Sequence, residues 1–438
     1  MQSRQILDLN AFQPRDPLAD RGLQALVERR LRNQGPVSVL FFDEPLHVVR
    51  AEGVWLHAAD GRRYLDVYNN VPSVGHCHPL VVEAVARQMG VLNIHTRYLN
   101  ESTEAYAEQL KALLPPELDK LAFTCSGSEA NDLALRLARH ATGRQGVIVT
   151  TAAYHGNTAA VIEISPAAWK RGGPPAFVRL VPSPGSEACG ADIARGFASA
   201  VATAAAELEL AGHGVAALIA DSIFSSDGIF ADPPGLLAAA AAVVAEAGGL
   251  WIADEVQPGF ARTGDTFWGF ARHGLQPDIV TMGKPMGNGF PMAGLATRAD
   301  ILAPYFADFG YFNTFGGNPV AAAAGMAVLD AIAADGLQGN ARAVGAHLRH
   351  RLEALAATRP AIRAVRGAGL FIGISLGDAV GRPDAGAAGR AINALRHRGI
   401  LIGAAGRDGS VLKIRPPLCF SIKHADLLVD ALVEVLAE

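Results

Sequence analysis

The sequence predicts an α/β fold, with a large, mostly parallel sheet covered by helices and a smaller α+β domain built from the two ends of the chain. Three observations predict it. From Pro79 onward, short apolar runs alternate with stretches of helical spacing, the pattern of strands joined by helical crossovers. A second zone of helices and strands begins near Asp330. The chain's 438 residues, 50% of them apolar, exceed one minimal core and suffice for two. The expected organisation is residues 1–65 as an N-terminal arm and part of the small domain, 66–329 as the large domain, and 330–438 as the rest of the small one.

In order along the chain, a polar, Pro-containing leader runs to about Pro36. Val48 to Asp66 then alternates apolar and polar residues around the turn Ala59-Asp60-Gly61, as a hairpin does. PLVVEAVARQM, from Pro79, is a helix with proline in its first turn. Beyond it the runs LAFTC, VIVT, VAALIAD, LWIADEV and DIVTMGK read as strands, and Glu129 to His140 as an amphipathic helix. The Ala-rich stretches at 198–206 and 237–245 are strong helix formers rather than linkers. In the last zone GLFIGISL and VLKIRPPL read as strands. Lys423 to Leu436 closes the chain as a helix, with Leu427, Leu428, Ala431, Leu432, Val435 and Leu436 on one face.

Composition excludes several functions. Lys plus Arg (38) nearly balance Asp plus Glu (42), and a net charge of −4 carries no basic excess for nucleic acid. No apolar stretch approaches a membrane span, and MQSRQILDLNAF lacks the pattern of a signal peptide. Cys77, Cys125, Cys189 and Cys419 form no CxxC pair, the usage of a reduced compartment, and the expected location is the cytoplasm. His76-Cys77-His78 lacks the further ligands of a zinc set, so no metal is expected. No GxxxxGK[ST] occurs, which argues against a P-loop nucleotide enzyme.

Ligands of an open parallel sheet collect at the carboxyl ends of its strands, so the polar residues that follow apolar runs carry the most information. LAFTC leads into Ser126-Gly127-Ser128-Glu129, where Ser126 and Glu129 can form a capping box and the amides of Gly127 and Ser128 can receive a phosphate; a bare cap would look the same. VIVT leads to Tyr154-His155-Gly156-Asn157, where Tyr154 either packs in the core or stacks on a flat cofactor. LWIADEVQPGF buries Asp254, which needs a cation, either an arginine or a protonated ring. PDIVTMGK ends on Lys284, held out of helix by Pro285; it is either a snorkelling surface lysine or a desolvated nucleophile. Pyridoxal phosphate unites the four readings, because it requires an amine for its imine, an anion at the ring nitrogen, a phosphate anchor and a stacking surface. Arg97, Lys413 and Arg415 are candidates to grip a substrate anion.

SGSEAND, YHGN, ADEVQPGFARTG, TMGKPMGNG and NTFGGNP, with GHCHP before them, resemble the signature series of class III aminotransferases of fold type I, in order from about Phe41 to the C-terminus. The resemblance implies a fold type I pyridoxal-phosphate-dependent transferase with its imine on Lys284 and Asp254 against the ring nitrogen. It further implies Val256 on the ring face opposite Tyr154, Gln257 near the ring hydroxyl, and phosphate contacts from Gly127 and Ser128. Ser126 and His155 belong to the same cofactor set, and Thr314 reaches the neighbouring subunit's phosphate, in a homodimer or dimer of dimers. Tyr68 and Asn69 become substrate candidates on the same basis. GHCHPLVVEA, PDIVTMGK, YFNTFGG and KIRPPLCFS are more closely similar to the branch that includes ethanolamine-phosphate and phosphohydroxylysine phospho-lyases. The chain departs from many relatives after VAALIA, where Asp221-Ser222 stands in place of Glu-Pro.

The expected reaction is transamination. A primary amine or amino acid displaces Lys284, whose freed amine moves a proton as general acid and base. A keto acid such as pyruvate or 2-oxoglutarate then closes a ping-pong cycle. The alternatives are a lyase that expels phosphate from the neighbouring carbon, since fold alone does not choose between the two, and a catalytically silent scaffold. The intact set of Lys284, Asp254 and Tyr154 argues against the scaffold.

Overall fold

The computed structural model describes residues 10–13, 17–37 and 39–437; the beginning of the N-terminal arm, residues 1–9, lies outside them. The first three strands are β1 (Val48–Glu52), β2 (Trp55–Ala58) and β3 (Arg63–Asp66). They form an antiparallel meander, one strand more than a hairpin, because Gly53, at φ +56°, turns the chain between β1 and β2. The leader also differs from expectation. Arg21–Gln34 is a helix whose Asp20 cap accepts the amides of Gly22 (2.7 Å) and Leu23 (3.1 Å). Only Val27 of this helix is buried, although Leu23, Leu26, Val27 and Leu31 recur at helical spacing in its sequence.

Seven strands build the central sheet: β4 (Lys120–Thr124), β5 (Gly146–Thr150), β6 (Val178–Val181), β7 (Val215–Asp221), β8 (Leu250–Asp254), β9 (Ile279–Met282) and β10 (Ala293–Thr297). Their order is β4-β10-β9-β8-β7-β5-β6. The β9-β8-β7-β5-β6 block is parallel, while β10 runs antiparallel to both β9 and β4. β7 and β8 are buried along almost their whole length, which is why they read as unbroken apolar runs. Register matters most at their ends: Asp221 lies opposite Asp254, and Asp254 opposite Thr281, so three polar residues form a row along one edge of the sheet.

Helices Gly127–Thr142 and Pro319–Ala334 are packed into the interior, the second with eleven buried residues. Asp330 falls inside Pro319–Ala334 rather than between elements. The remaining strands are β11 (Ile362–Ala368), β12 (Phe371–Leu376), β13 (Ile400–Leu401), β14 (Gly403–Ala405) and β15 (Val411–Ile414). β11, β12, β15 and β14 form a second antiparallel sheet, and β13 pairs in parallel with β3, which ties the last quarter of the chain to the first. Ile422–Val435 closes the chain as a helix with a capping box between Ser421 and His424. Among the described residues no single helix is long and apolar enough to cross a membrane.

Candidate active site

Ser126, Gly127, Ser128, Tyr154, His155, Asp254, Val256, Gln257 and Lys284 line one cleft of about 380 Å³ at the carboxyl ends of the parallel strands. They arrive from four strand ends, those of β4, β5, β8 and β9, as the topology requires. At the first, Ser126 caps the helix by accepting the Glu129 amide (3.3 Å). Glu129 does not close the expected box; it reaches one residue further back and accepts the Cys125 amide at 2.7 Å. The amides of Gly127 and Ser128 occupy the first turn of a sixteen-residue helix, where the backbone dipole favours an anion. A Cβ on Gly127 would stand 3.0 Å from Val256 Cγ2, and one on Gly156, at φ +143°, 2.4 Å from Ser128 Oγ. Glycine at both positions lets the two loops close on each other.

Asp254 is 5% exposed, and its partners are not guanidinium groups. His155 Nδ1 lies 2.7 Å from its carboxylate, Asn131 Nδ2 donates at 3.0 Å, and the Val256 amide donates at 3.1 Å. Asn131 in turn donates to the His155 carbonyl (2.7 Å) and accepts from Thr281 Oγ1 (2.6 Å). Asp254 is an acceptor, so His155 presents its Nδ1 proton to it, leaving Nε2 buried with no partner. The carboxylate is thus held in place by three donors. Asn131 and Thr281 escaped sequence reasoning; the visible signal was a polar side chain on the otherwise apolar face of a buried helix.

Lys284 follows β9 with φ +32°, a strained backbone for a residue with a side chain, and opens the turn Lys284–Gly287. Burial, with the nearby Arg415 charge, lowers its amine below the usual lysine range, against the opposing pull of Asp254 and Asp221. An amine so placed lies in the cleft and is not a snorkelling surface charge.

A second cavity of about 220 Å³ shares Tyr154, Gln257 and Lys284 with the cleft and adds Tyr68, Lys413 and Arg415. Arg415 lies over the Tyr68 ring, 4.5 Å from its centre. Lys413 is 6% exposed, and burial, with Arg415 beside it, lowers its amine well below the ordinary range. Asn69 does not line this cavity; it is spent on Asp66, to whose carboxylate its side chain donates at 3.0 Å. Arg97 is elsewhere, 4.0 Å over the Phe312 ring, in a separate surface cavity, and Thr314 is exposed and outside the cleft of its own chain. His76 bonds Asp66 (2.7 Å) and His78 bonds Asp335 (3.1 Å), so the two imidazoles serve different carboxylates.

The donor set fits pyridoxal phosphate. A helix N-terminus with two small residues, a fixed buried carboxylate and a desolvated amine surround one cleft, and the Gly127 and Gly156 contacts leave no room for larger side chains there. The family model for Aminotransferase class-III matches residues 42–436. The alanine–glyoxylate aminotransferase 2-like protein of Drosophila melanogaster is 40% identical over 416 residues, 91% of this chain and 84% of that one. Ethanolamine-phosphate phospho-lyase homolog 1 of Caenorhabditis elegans is 37% identical, covering 95% and 94%. The solved structure of a phospholyase from Arthrobacter in complex with phosphoethanolamine superimposes with a TM-score of 0.91 at 42% identity, over 94% of this chain and 99% of that one. The chain belongs to the class III aminotransferase family, and is an enzyme of fold type I that depends on pyridoxal 5′-phosphate.

Proposed function

We propose that the protein is a transaminase that moves the amino group of a primary amine or amino acid to a keto acid in a ping-pong cycle. The observation that carries this reading is the position of Lys284, a desolvated amine at the junction of the two cavities, with Asp254 fixed across the cleft. Pyridoxal phosphate, when bound, supplies an electron sink that makes the carbon beside the substrate nitrogen acidic. Gly127 and Ser128 hold its phosphate, with Ser126 capping the helix that presents them. Tyr154 and Val256 would flank its ring, and His155 and Asn131 would hold the Asp254 carboxylate toward the ring nitrogen. Lys284 Nζ, lowered toward neutrality, takes the proton from the substrate carbon and returns it, as a general base must near its working pH. Gln257 contacts the ring hydroxyl, and Tyr68, Lys413 and Arg415 face the substrate's anionic group.

A second reading is favoured by one feature. Lys413 and Arg415 bring two basic side chains into a small cavity, the fixed guanidinium charge beside a buried amine that can donate hydrogen bonds, a set suited to a phosphate. Such an enzyme would be an amino-phospho-lyase, as the Arthrobacter relative's bound phosphoethanolamine supports. The test is incubation with phosphoethanolamine and no keto acid. The transaminase stops after one equivalent of amine per site, whereas repeated turnover with phosphate release makes the protein a lyase.

We also propose that the active form is a homodimer. Val91 (76% exposed), Leu99 (97%) and Phe315 (71%) leave apolar surface on the side that carries Arg97 and Thr314, and a second copy would cover it. Thr314 and Arg97 would then serve the neighbour's site.

A further inference from the structure

Arg415 does not stand alone in the inner cavity. Its Nη1 donates to Gln257 Oε1, Gln257 Nε2 donates to Ser225 Oγ at 2.7 Å, and Ser225 Oγ donates to Asp221 Oδ2. Every direction in this chain is determined. A guanidinium only donates, so the amide oxygen of Gln257 must face it and the amide nitrogen must face Ser225. A hydroxyl that accepts from that nitrogen has one proton left, and it goes to the carboxylate. The far end is anchored too: Asp221 accepts the amides of Ile223 (2.9 Å) and Ser225 (3.2 Å), and its backbone is held in register beside Asp254.

The chain joins three segments distant in sequence: the end of β7, the loop after β8 and the residue after β15. It leaves specific donors uncommitted. One N–H of the Gln257 amide remains for the cofactor's hydroxyl, and Arg415 Nε is buried without a partner. A guanidinium restrained by Gln257 on one side and by the Tyr68 ring on its face has already lost the rotamer freedom that gripping a ligand would otherwise cost. Lys413, the other basic side chain of this cavity, takes no part in the chain.

We propose that Asp221 and Ser225, acting through Gln257, are positioning residues that hold Arg415 ready for the anionic oxygens of a substrate, and so set the preference for acidic over neutral amines. This rests on reading the cleft as a pyridoxal-phosphate amine site. The shared chemistry is an anionic group, phosphate or carboxylate, at the far end of the substrate.

The experiment uses the holoenzyme and its Ser225→Ala and Ser225→Thr variants, each checked for the visible cofactor band. Calorimetric titration with inorganic phosphate and, separately, with propionate identifies which anion the subsite takes. Steady-state kinetics then compare an amine bearing that anion with neutral propylamine. Ser225→Ala is expected to weaken anion binding and raise the KM of the acidic amine about tenfold, with the loss in KM rather than kcat. The KM of propylamine should move less than twofold, and Ser225→Thr, which keeps the hydroxyl, should restore the acidic amine. Unchanged anion affinity in Ser225→Ala, an equal loss for propylamine, failure of Ser225→Thr to restore, or a wild type that binds neither anion would each overturn the proposal. A wild type without the cofactor band would instead sink the underlying reading of the cleft.

Discussion

Lys284 concentrates the chemistry of the site in one side chain. Replacing it with alanine is expected to leave cofactor binding largely intact through the helix N-terminus at Gly127 and Ser128, while turnover drops by about a thousandfold or more. Loss of the imine band with retention of bound cofactor on gel filtration checks the two halves. Asp254→Ala should weaken both cofactor retention and turnover, because it also strands His155. Lys413 offers the converse case, a residue that costs stability. Its proton affinity is lowered by burial, so as pH falls below the ordinary lysine value of 10.5 the unfolded chain takes up a proton that the folded one resists, and the fold loses stability. Lys413→Met should therefore raise the melting temperature of the apoprotein by about 2 °C at pH 7, a gain that vanishes in thermal scans near pH 10.5. It should also impair handling of anionic substrates. At this scale the sequence was most legible where a motif residue touches the cofactor region directly. Asn131, Thr281 and Ser225 were not visible as members of the site, since each acts by hydrogen bonds to another segment, 123 positions away for Asn131 and Asp254, 150 for Thr281 and Asn131 and 32 for Ser225 and Gln257, which only the fold brings together.

Strand ends were readable because a buried strand of this sheet is an unbroken apolar run that stops at a charge: β8 at Asp254, and β9 just before Lys284. β10 was missed, being a five-residue run of small residues around one leucine, Ala-Gly-Leu-Ala-Thr, with no charged terminus. The leader helix was missed although its signals were present, with Leu23, Leu26, Val27 and Leu31 at helical spacing and Asp20 before it and Gly35 after it as stop signs. One short element is pinned by an unusual carboxyl group. Glu255, directly after β8, accepts the amides of Gly269 (2.6 Å) and Phe270 (2.9 Å) and the hydroxyl of Ser222, and burial pushes its pKa up to about 8. Its folded pKa exceeds the ordinary value of 4.5, so its contribution to stability is fully present below that pH and is lost as pH rises through about 8. Glu255→Gln should keep the Gly269–His273 turn in place and flatten the fall in denaturant midpoint between roughly pH 6 and 9. An unchanged slope would mean that another group titrates there.

For the molecule as a whole, the alternation of strands and helices was enough to anticipate the central sheet, because parallel crossovers leave few other topologies. That the two ends of the chain belong to one small domain was expected, but the strand pairing that joins them could not be read, since β3–β13 spans more than three hundred residues and is only two residues long. Assembly gives the test at this scale. Sedimentation velocity is expected to report twice the chain mass for the wild type, and Leu99→Glu, which puts a charge on the most exposed apolar side chain, should shift the species toward the monomer and lower turnover with it. A monomeric wild type with full activity would remove the need for a neighbour's Thr314. The pairing of β3 with β13 also bears on how the protein is made. On the ribosome the opening meander leaves the exit tunnel with its outer edge uncovered, and the strand that caps that edge is among the last segments to be translated. The central sheet can be complete by then, so the small sheet must close around a nearly finished molecule, and the waiting edge is where a stalled or truncated chain would be most prone to stick to another.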